Sequence, residues 1–320
     1  MFVKSLVIIG SITADVFVFS PDSHLDRGAD GFRTSNLVFT ERPPTFLVGG
    51  NGGNSAYVAA SLGVPTSLVG AVGRDLLGRT LLDWLSSGGV AVDAVLRSET
   101  HATSSSIIVT AGPTSQVVFH HLGATGAVHP KHLPASLLRQ AGVLLCSSFP
   151  LMTHLRPDGF ARALETTRSA GGLTALDVGP AIGEPVTLNE LAPLLPHVDY
   201  LIGNTHELVT ITAEGSYAAA AERLLAAGAR SVVVKRGKDG AYLACDGETI
   251  AVPAFPVDAR ISVGAGDAFN VGFLYAIQRG RSAREAARFG SAVAALVVSS
   301  DRGVLGVPTL EEVEAFLAQR

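Results

Sequence analysis

Cysteine is nearly absent from this 320-residue chain: Cys146 and Cys245 are the only two. That is too few for a disulfide framework or a thiolate metal cluster, and a reducing cytoplasm is the simplest setting. Charge is scarce as well, at 16% of residues, and carries no basic excess. The 24 Lys and Arg face 28 Asp and Glu, for a formal net charge of -4. A nucleic-acid partner is therefore not expected. Long hydrophobic runs are missing too. Residues 43–73 and 100–130 contain no Asp, Glu, Lys or Arg. Gly, Pro, Asn, Ser and Thr interrupt both before about 20 apolar residues accumulate, so neither reads as a membrane span. The first 15 residues hold a short apolar run without a cleavage-site pattern and read as a first buried strand.

What is present is apolar: 47% of residues are hydrophobic. A chain of this length buries roughly three quarters of its unfolded surface, so disorder is excluded and a large interior is expected. Length alone allows two domains, or one α/β core with an insertion. The pattern favours the second. After the apolar run 5–9, short β-type runs at 15–19 and 36–39 resemble a small inserted sheet, and runs at 105–110 and 116–121 read as a hairpin with a five-residue loop. Elsewhere strand and helix alternate, with strands at 66–72, 143–147, 173–178, 200–203 and 231–235 and helices at 76–85, 158–169 and 217–227. Two short strands and helices at 266–278, 283–298 and 310–317 follow. Continuously apolar strands imply a mostly parallel sheet with helices on both faces.

Three local patterns could carry chemistry. Gly264-Ala265-Gly266-Asp267 is a small-residue loop running into an apolar helix. Backbone N–H groups there can converge on an anion, and Asp267 could take a proton from an attacking hydroxyl. The loop alone is equally compatible with Asp267 capping the helix. Gly49-Gly50-Asn51-Gly52-Gly53-Asn54 allows close backbone approach and offers two amides suited to hydroxyls. It fails the dinucleotide spacing, no clean strand leads into it, and a turn with Asn54 capping a helix from residue 55 remains open. Asn204-Thr205-His206-Glu207 follows a strand end, where α/β sheets place ligands. An amide and a carboxylate three residues apart could hold the hydration shell of magnesium, although a simple helix cap accounts for them more readily.

The order and spacing of these patterns, with Gly10 to Asp15, Gly73 to Gly78 and Lys235-Arg236-Gly237, resemble the PfkB carbohydrate kinase family, the ribokinase-like sugar and nucleoside kinases. The match covers almost the whole chain. It implies one kinase domain over residues 1–320, an α/β three-layer core with a small β lid from about 11–45 and 100–123, and a homodimer through that lid. It implies ATP-dependent phosphoryl transfer to a sugar or nucleoside hydroxyl, with Asp267 as base and the Gly264, Ala265 and Gly266 amides as anion hole. Asp15, Gly49, Gly50, Asn51 and Asn54 would grip the acceptor. Lys235, Gly237 and Ser291 would meet the nucleotide, and Asn204 and Glu207 would organise Mg2+.

The chain departs from the family pattern in places. Ile261-Ser262-Val263 stands where a carboxylate associated with a monovalent cation is usual, so potassium dependence is not expected. Asn51 replaces a common Lys and Ser147-Ser148-Phe149 an acidic substrate ligand, which points away from ribose as acceptor, while Ser291 stands in place of a common Asn near the adenine, so the family's nucleobase contacts do not carry over. His120 and His121 lie on a lid strand, where at most one can face the substrate. A catalytically silent sugar-binding relative is the rival reading, and an oxidoreductase is disfavoured by the missing fingerprint.

Overall fold

The first strand, β1 (Leu6–Ile9), is buried along its whole length. Successive side chains serve opposite faces, with Leu6 and Ile8 in one apolar cluster and Val7 and Ile9 in another. The same alternation recurs at Leu144 against Leu145 and at Val232 against Val233. That is why these strands read as continuous apolar runs: each supplies two cores. The computed structural model describes residues 4–19, 40, 42–112, 115–179, 185–245 and 247–320.

Strands β2 (Thr13–Phe19) and β3 (Thr45–Gly49), helix α1 (Asn51–Ser61), β4 (Thr66–Gly73), α2 (Leu76–Ser87), β5 (Val90–Ala91), β6 (Val95–Ser98), β7 (Ser104–Gly112) and β8 (Ser115–His121) make up the first third. Then come α3 (Ala135–Gln140), β9 (Val143–Cys146), α4 (Asp158–Ser169), β10 (Leu173–Asp177), α5 (Leu188–Leu191), β11 (Tyr200–Asn204), α6 (Thr205–Thr212) and α7 (Tyr217–Ala226). The chain ends with β12 (Ser231–Lys235), β13 (Ala241–Cys245), β14 (Glu248–Val252), α8 (Ala265–Gln278), α9 (Ala283–Val298) and α10 (Leu310–Ala318).

Among the described residues, the large sheet runs β14-β13-β12-β11-β10-β9-β1-β4-β5, with β6 also on β4. Every pair from β12 to β5 is parallel, and only β13 and β14 add antiparallel edges. One face packs on α1, α2, α8 and α9, the other on α3, α4 and α7. The expected three-layer α/β core is therefore present. The short β5 and β6 escape the sequence pattern, because neither shows a strand-length run of alternation.

A separate small sheet is ordered β3-β2-β7-β8. The expected run 36–39 lies outside the described residues, and the hairpin strands extend to Gly112 and Ser115, closer together than the expected five-residue loop. Two further expectations need correction. A clean strand, β3, does hand directly into the Gly-rich segment, and α1 begins at Asn51 rather than at residue 55. The reason is close packing: a Cβ on Gly52 would come within 2.6 Å of the Gly10 carbonyl carbon, so only glycine lets this first turn lie against the end of β1. Asp75 ties the small sheet to the core. Its carboxylate caps α2 through the Gly78 N–H at 2.8 Å and accepts from the Thr103 N–H at 2.7 Å and hydroxyl at 2.6 Å, just before β7.

Candidate active site

Helix α8 starts from Gly264, which adopts φ 84° and lets the preceding loop turn sharply into the helix. The Ala265 N–H turns back to the Ser262 carbonyl at 3.3 Å, whereas the Gly266 N–H has no partner among the described residues. Asp267 follows in the first turn and is not a cap. It is 5% exposed, and each carboxylate oxygen accepts one amide bond, from Asn51 Nδ2 at 3.0 Å and from Asn54 Nδ2 at 2.8 Å. Asn54 therefore lies inside α1 with its amide turned to the acid, not at a cap. Burial raises the Asp267 pKa from 3.8 to about 7, against the pull of Asn54, with the Asp177 charge adding to the rise. A carboxyl poised there can exchange a proton near neutral pH.

Beside the α8 N-terminus lies a cavity of about 450 Å³. Lys235, Gly237, Gly266, Phe269 and Ser291 line it, and Phe255 and Val298 add apolar surface. Lys235 is not a solvated surface lysine. Its Nζ pairs with Asp177 Oδ2 at 2.7 Å, with side-chain exposures of 14% and 1%. Burial works against the Lys235 charge, but the Asp177 and Glu207 carboxylates outweigh it and raise its pKa. Asn270, from the α8 helix, also donates to Asp177. Sequence reasoning missed Asp177 and Asn270. The end-of-strand rule that picked out Asn204 applies equally to Asp177, the last residue of β10.

Asn204 and Glu207 form a reciprocal capping box on α6: the Asn204 N–H donates to Glu207 Oε2 at 2.7 Å and the Glu207 N–H to Asn204 Oδ1 at 2.9 Å. Burial first, then the Asp177 charge, raises the Glu207 pKa to about 7. Asp177, Glu207, Lys235 and Asp267 thus feel one another's charge across the ends of β10, β11 and β12 and the start of α8.

A third group lies under the small sheet. Asp15 is 6% exposed, its Oδ1 has no hydrogen-bond partner, and Gly49 leaves room for the carboxylate, since a Cβ there would lie 2.1 Å from Oδ2. Burial raises the Asp15 pKa to about 6. Ser148, at φ 58°, shares a 2.8 Å hydroxyl bond with Ser11 and donates to Asn51 Oδ1 at 3.3 Å. The segment beginning at Ser147 therefore joins the Asn51 network. Ile261 packs with Phe17, Leu47 and Ile108, an apolar contact where the family pattern has a carboxylate.

A mostly parallel sheet, a small sheet set beside it, and a buried acid where a glycine loop enters a helix define the ribokinase-like kinases. The chain belongs to the PfkB family: the model of the pfkB family carbohydrate kinases matches residues 3–310. It is similar to a nucleoside kinase of Methanothermobacter thermautotrophicus, 30% identical, covering 99% of this chain and 96% of that one. It is similar to a ribokinase of Bacillus subtilis, 28% identical over 98% of this chain and 100% of the other. The structure of Arabidopsis thaliana ribokinase complexed with ribose and ATP superposes with a TM-score of 0.80 at 25% identity, covering 99% of both chains. No helix among the described residues is long and apolar enough to cross a membrane.

Proposed function

We propose that this kinase transfers the γ-phosphoryl group of ATP to a hydroxyl of a small sugar or sugar-like acceptor, nucleosides included, in the cytoplasm. The observation that carries the reading is the buried, amide-clamped Asp267 beside the 450 Å³ cavity. In this reading Asp267 removes the acceptor proton as the acceptor oxygen bonds to the γ-phosphorus and the bond to the ADP oxygen breaks. The start of α8 stabilises charge on the transferring group, with the Gly266 N–H the open donor of the Gly264-Ala265-Gly266 loop. Lys235, Gly237 and Ser291 hold the nucleotide. Asp15, Gly49, Gly50, Asn51 and Asn54 hold the acceptor, and the small sheet acts as a lid that keeps out competing water. A coupled ADP-release screen across pentoses, hexoses, keto-sugar acids and nucleosides tests it. No acceptor-dependent ADP with any of them would count against the reading.

Magnesium, bound with the nucleotide, would neutralise charge on the phosphate oxygens. The residues present fit an ion that keeps most of its water: the cap uses Glu207 Oε2 and leaves Oε1, and no direct cage of three or more His, Cys, Asp or Glu exists among the described residues. Glu207→Gln is expected to raise the magnesium concentration needed for half activity while leaving acceptor binding without nucleotide unchanged. An unchanged titration accompanied by a lower Tm would reduce Glu207 to a cap.

The lid also offers a dimer surface. Phe46, Val16, Ile107 and Phe119 form one cross-strand row over all four strands, and Phe46, Ile107 and Phe119 are 55%, 49% and 47% exposed. A second copy would cover this row. Phe119→Lys should halve the solution mass measured by light scattering, and a monomeric parent protein would end the proposal.

A further inference from the structure

The inner face of the small sheet carries an apolar cluster that extends beyond the sheet. Phe17 of β2 pairs with Ile108 of β7, and Leu47 of β3 pairs with Asp15 of β2. Paired residues project to one side, as do residues two apart on a strand, so Asp15, Phe17, Leu47 and Ile108 share a face, and all four are buried. Phe46 and Ile107, their neighbours in sequence, point the other way and are exposed. Phe17, Leu47 and Ile108 close on Ile261, which is 5% exposed and precedes the Gly264 loop, with Val263 and Leu305 packed at the margin. The face that holds the Asp15 carboxylate is therefore the face that rests on the approach to α8.

The short turn Gly303–Gly306 joins this contact to the α8 entry loop. A Cβ on Gly303 would lie 3.5 Å from Leu47 Cδ1 and 3.6 Å from Ile261 Cγ2, so the two side chains converge on that glycine. Val304 then presses on the loop itself. A Cβ on Gly264 would collide with Val304 Cγ1 and lie 3.6 Å from Asn54 Nδ2, the amide that clamps Asp267. The backbone is fixed from another side: the N–H groups of Arg260 and Ile261 both donate to the Val298 carbonyl at the end of α9, at 2.7 and 3.3 Å. Ile261 does not line the 450 Å³ cavity, although its neighbour Ser262 does.

We propose that Ile261 is a positioning residue: its contact with Phe17, Leu47 and Ile108 ties the seating of the small sheet over the acceptor to the placing of the Gly264-Ala265-Gly266 amides. Each end of the reaction then senses whether the other is occupied. This rests on the kinase reading above. A close-packed apolar contact transmits displacement because a gap of about 0.5–1 Å already forfeits a quarter to a half of the attraction. The same displacement matters at the loop, since anion-hole donors act at about 2.7–3.1 Å from the charge they stabilise. A charged tether could stretch through water, but this contact is apolar throughout and has no such intermediate. Coupling of this kind is reciprocal, so nucleotide at the loop must be felt in the sheet as strongly as acceptor under the sheet is felt at the loop.

The test is hydrogen exchange read by mass spectrometry on the full chain, with and without the Mg2+ complex of AMP-PNP, a non-hydrolysable ATP analogue. In the parent, AMP-PNP should slow exchange in the β2 and β7 peptides by about fivefold or more, although neither strand lines the cavity. Ile261→Ala should still bind AMP-PNP within about threefold by calorimetry, yet lose that protection. Ile261→Val, which keeps most of the apolar contact, should retain most of it. Unchanged protection in Ile261→Ala would overturn the inference, as would a parent that binds AMP-PNP with no protection of β2 and β7. The contact is also read without nucleotide. Ile108→Ala, a change within the small sheet, should speed exchange of the peptide spanning residues 262–268 by about fivefold or more, and an unchanged rate there would equally overturn the inference. Failure of the parent to bind AMP-PNP would tell against the kinase reading, while the nucleotide-free comparison still decides whether Ile261 links the sheet to the loop.

Discussion

Asp267→Asn is expected to lower turnover by about 10²–10⁴-fold, the range for a lost general base, with ATP affinity little changed. The substitution preserves shape. Asn54 Oδ1 is buried without a partner, so rotating that amide gives the newly introduced amide an acceptor, and the fold should persist. Turnover within about threefold of the parent would remove Asp267 from the chemistry. The pH profile gives a second readout. With its pKa raised to about 7, the parent base is protonated in acid, so kcat/KM should rise with pH through about 7, and the variant should lack that limb. Stability moves the other way. The folded carboxyl holds its proton where the unfolded one, near 3.8, has lost it. Its stabilising contribution is present at acid pH and is lost as pH climbs from about 4 through 7. The Tm of Asp267→Asn should therefore gain on that of the parent as pH climbs from about 4 to 7 and keep that gain above neutral pH.

Asp177→Ala is expected to cost about 3–5 kcal/mol of unfolding free energy, because it leaves the Lys235 ammonium buried without its partner. The donated Asn270 amide loses its acceptor in the same step. Chemical denaturation measures this. A loss under about 1 kcal/mol would mean that water already compensates the lysine. Adding Lys235→Met should return much of the stability, since an apolar side chain of similar length suits the buried site. Activity should not return with it, since Lys235 lines the cavity proposed to take the nucleotide. That split separates the structural and functional duties of the pair.

The elements most legible in the sequence are those whose local signals agree. Helix α9 carries its own Ser282–Glu285 capping box and a strong apolar stripe, and its expected bounds coincide with the structure. Strands β11 and β12 were equally plain. The start of α1 was not, because a run of glycines has low intrinsic helix propensity. What makes it helical is tertiary: the approach of Gly52 to Gly10 and the bonds from Asn51 and Asn54 to Asp267. Asp177 was missed because one acid at a strand end has no local partner to mark it. Lys235, its ion pair, lies 58 residues further on. The register that lines up Asp15, Ser106 and His120 across β2, β7 and β8 was only half legible. Strand alternation says that one of two adjacent histidines faces inward, but the register that selects His120 exists only once β2, β7 and β8 are paired.

The clamp on Asp267 also sets an order of events during synthesis. Asn51 and Asp267 are 216 residues apart in the chain, while β1 waits in mid-sheet for β4 on one side and β9 on the other. A nascent chain can pair β1 with β4 early, yet Asn51 and Asn54 have no acid to hold until α8 has left the ribosome. Closing so long a loop carries its entropic cost before the contact forms. Asp267 and the amides that clamp it consequently come together among the last contacts, on a sheet that is by then largely in place.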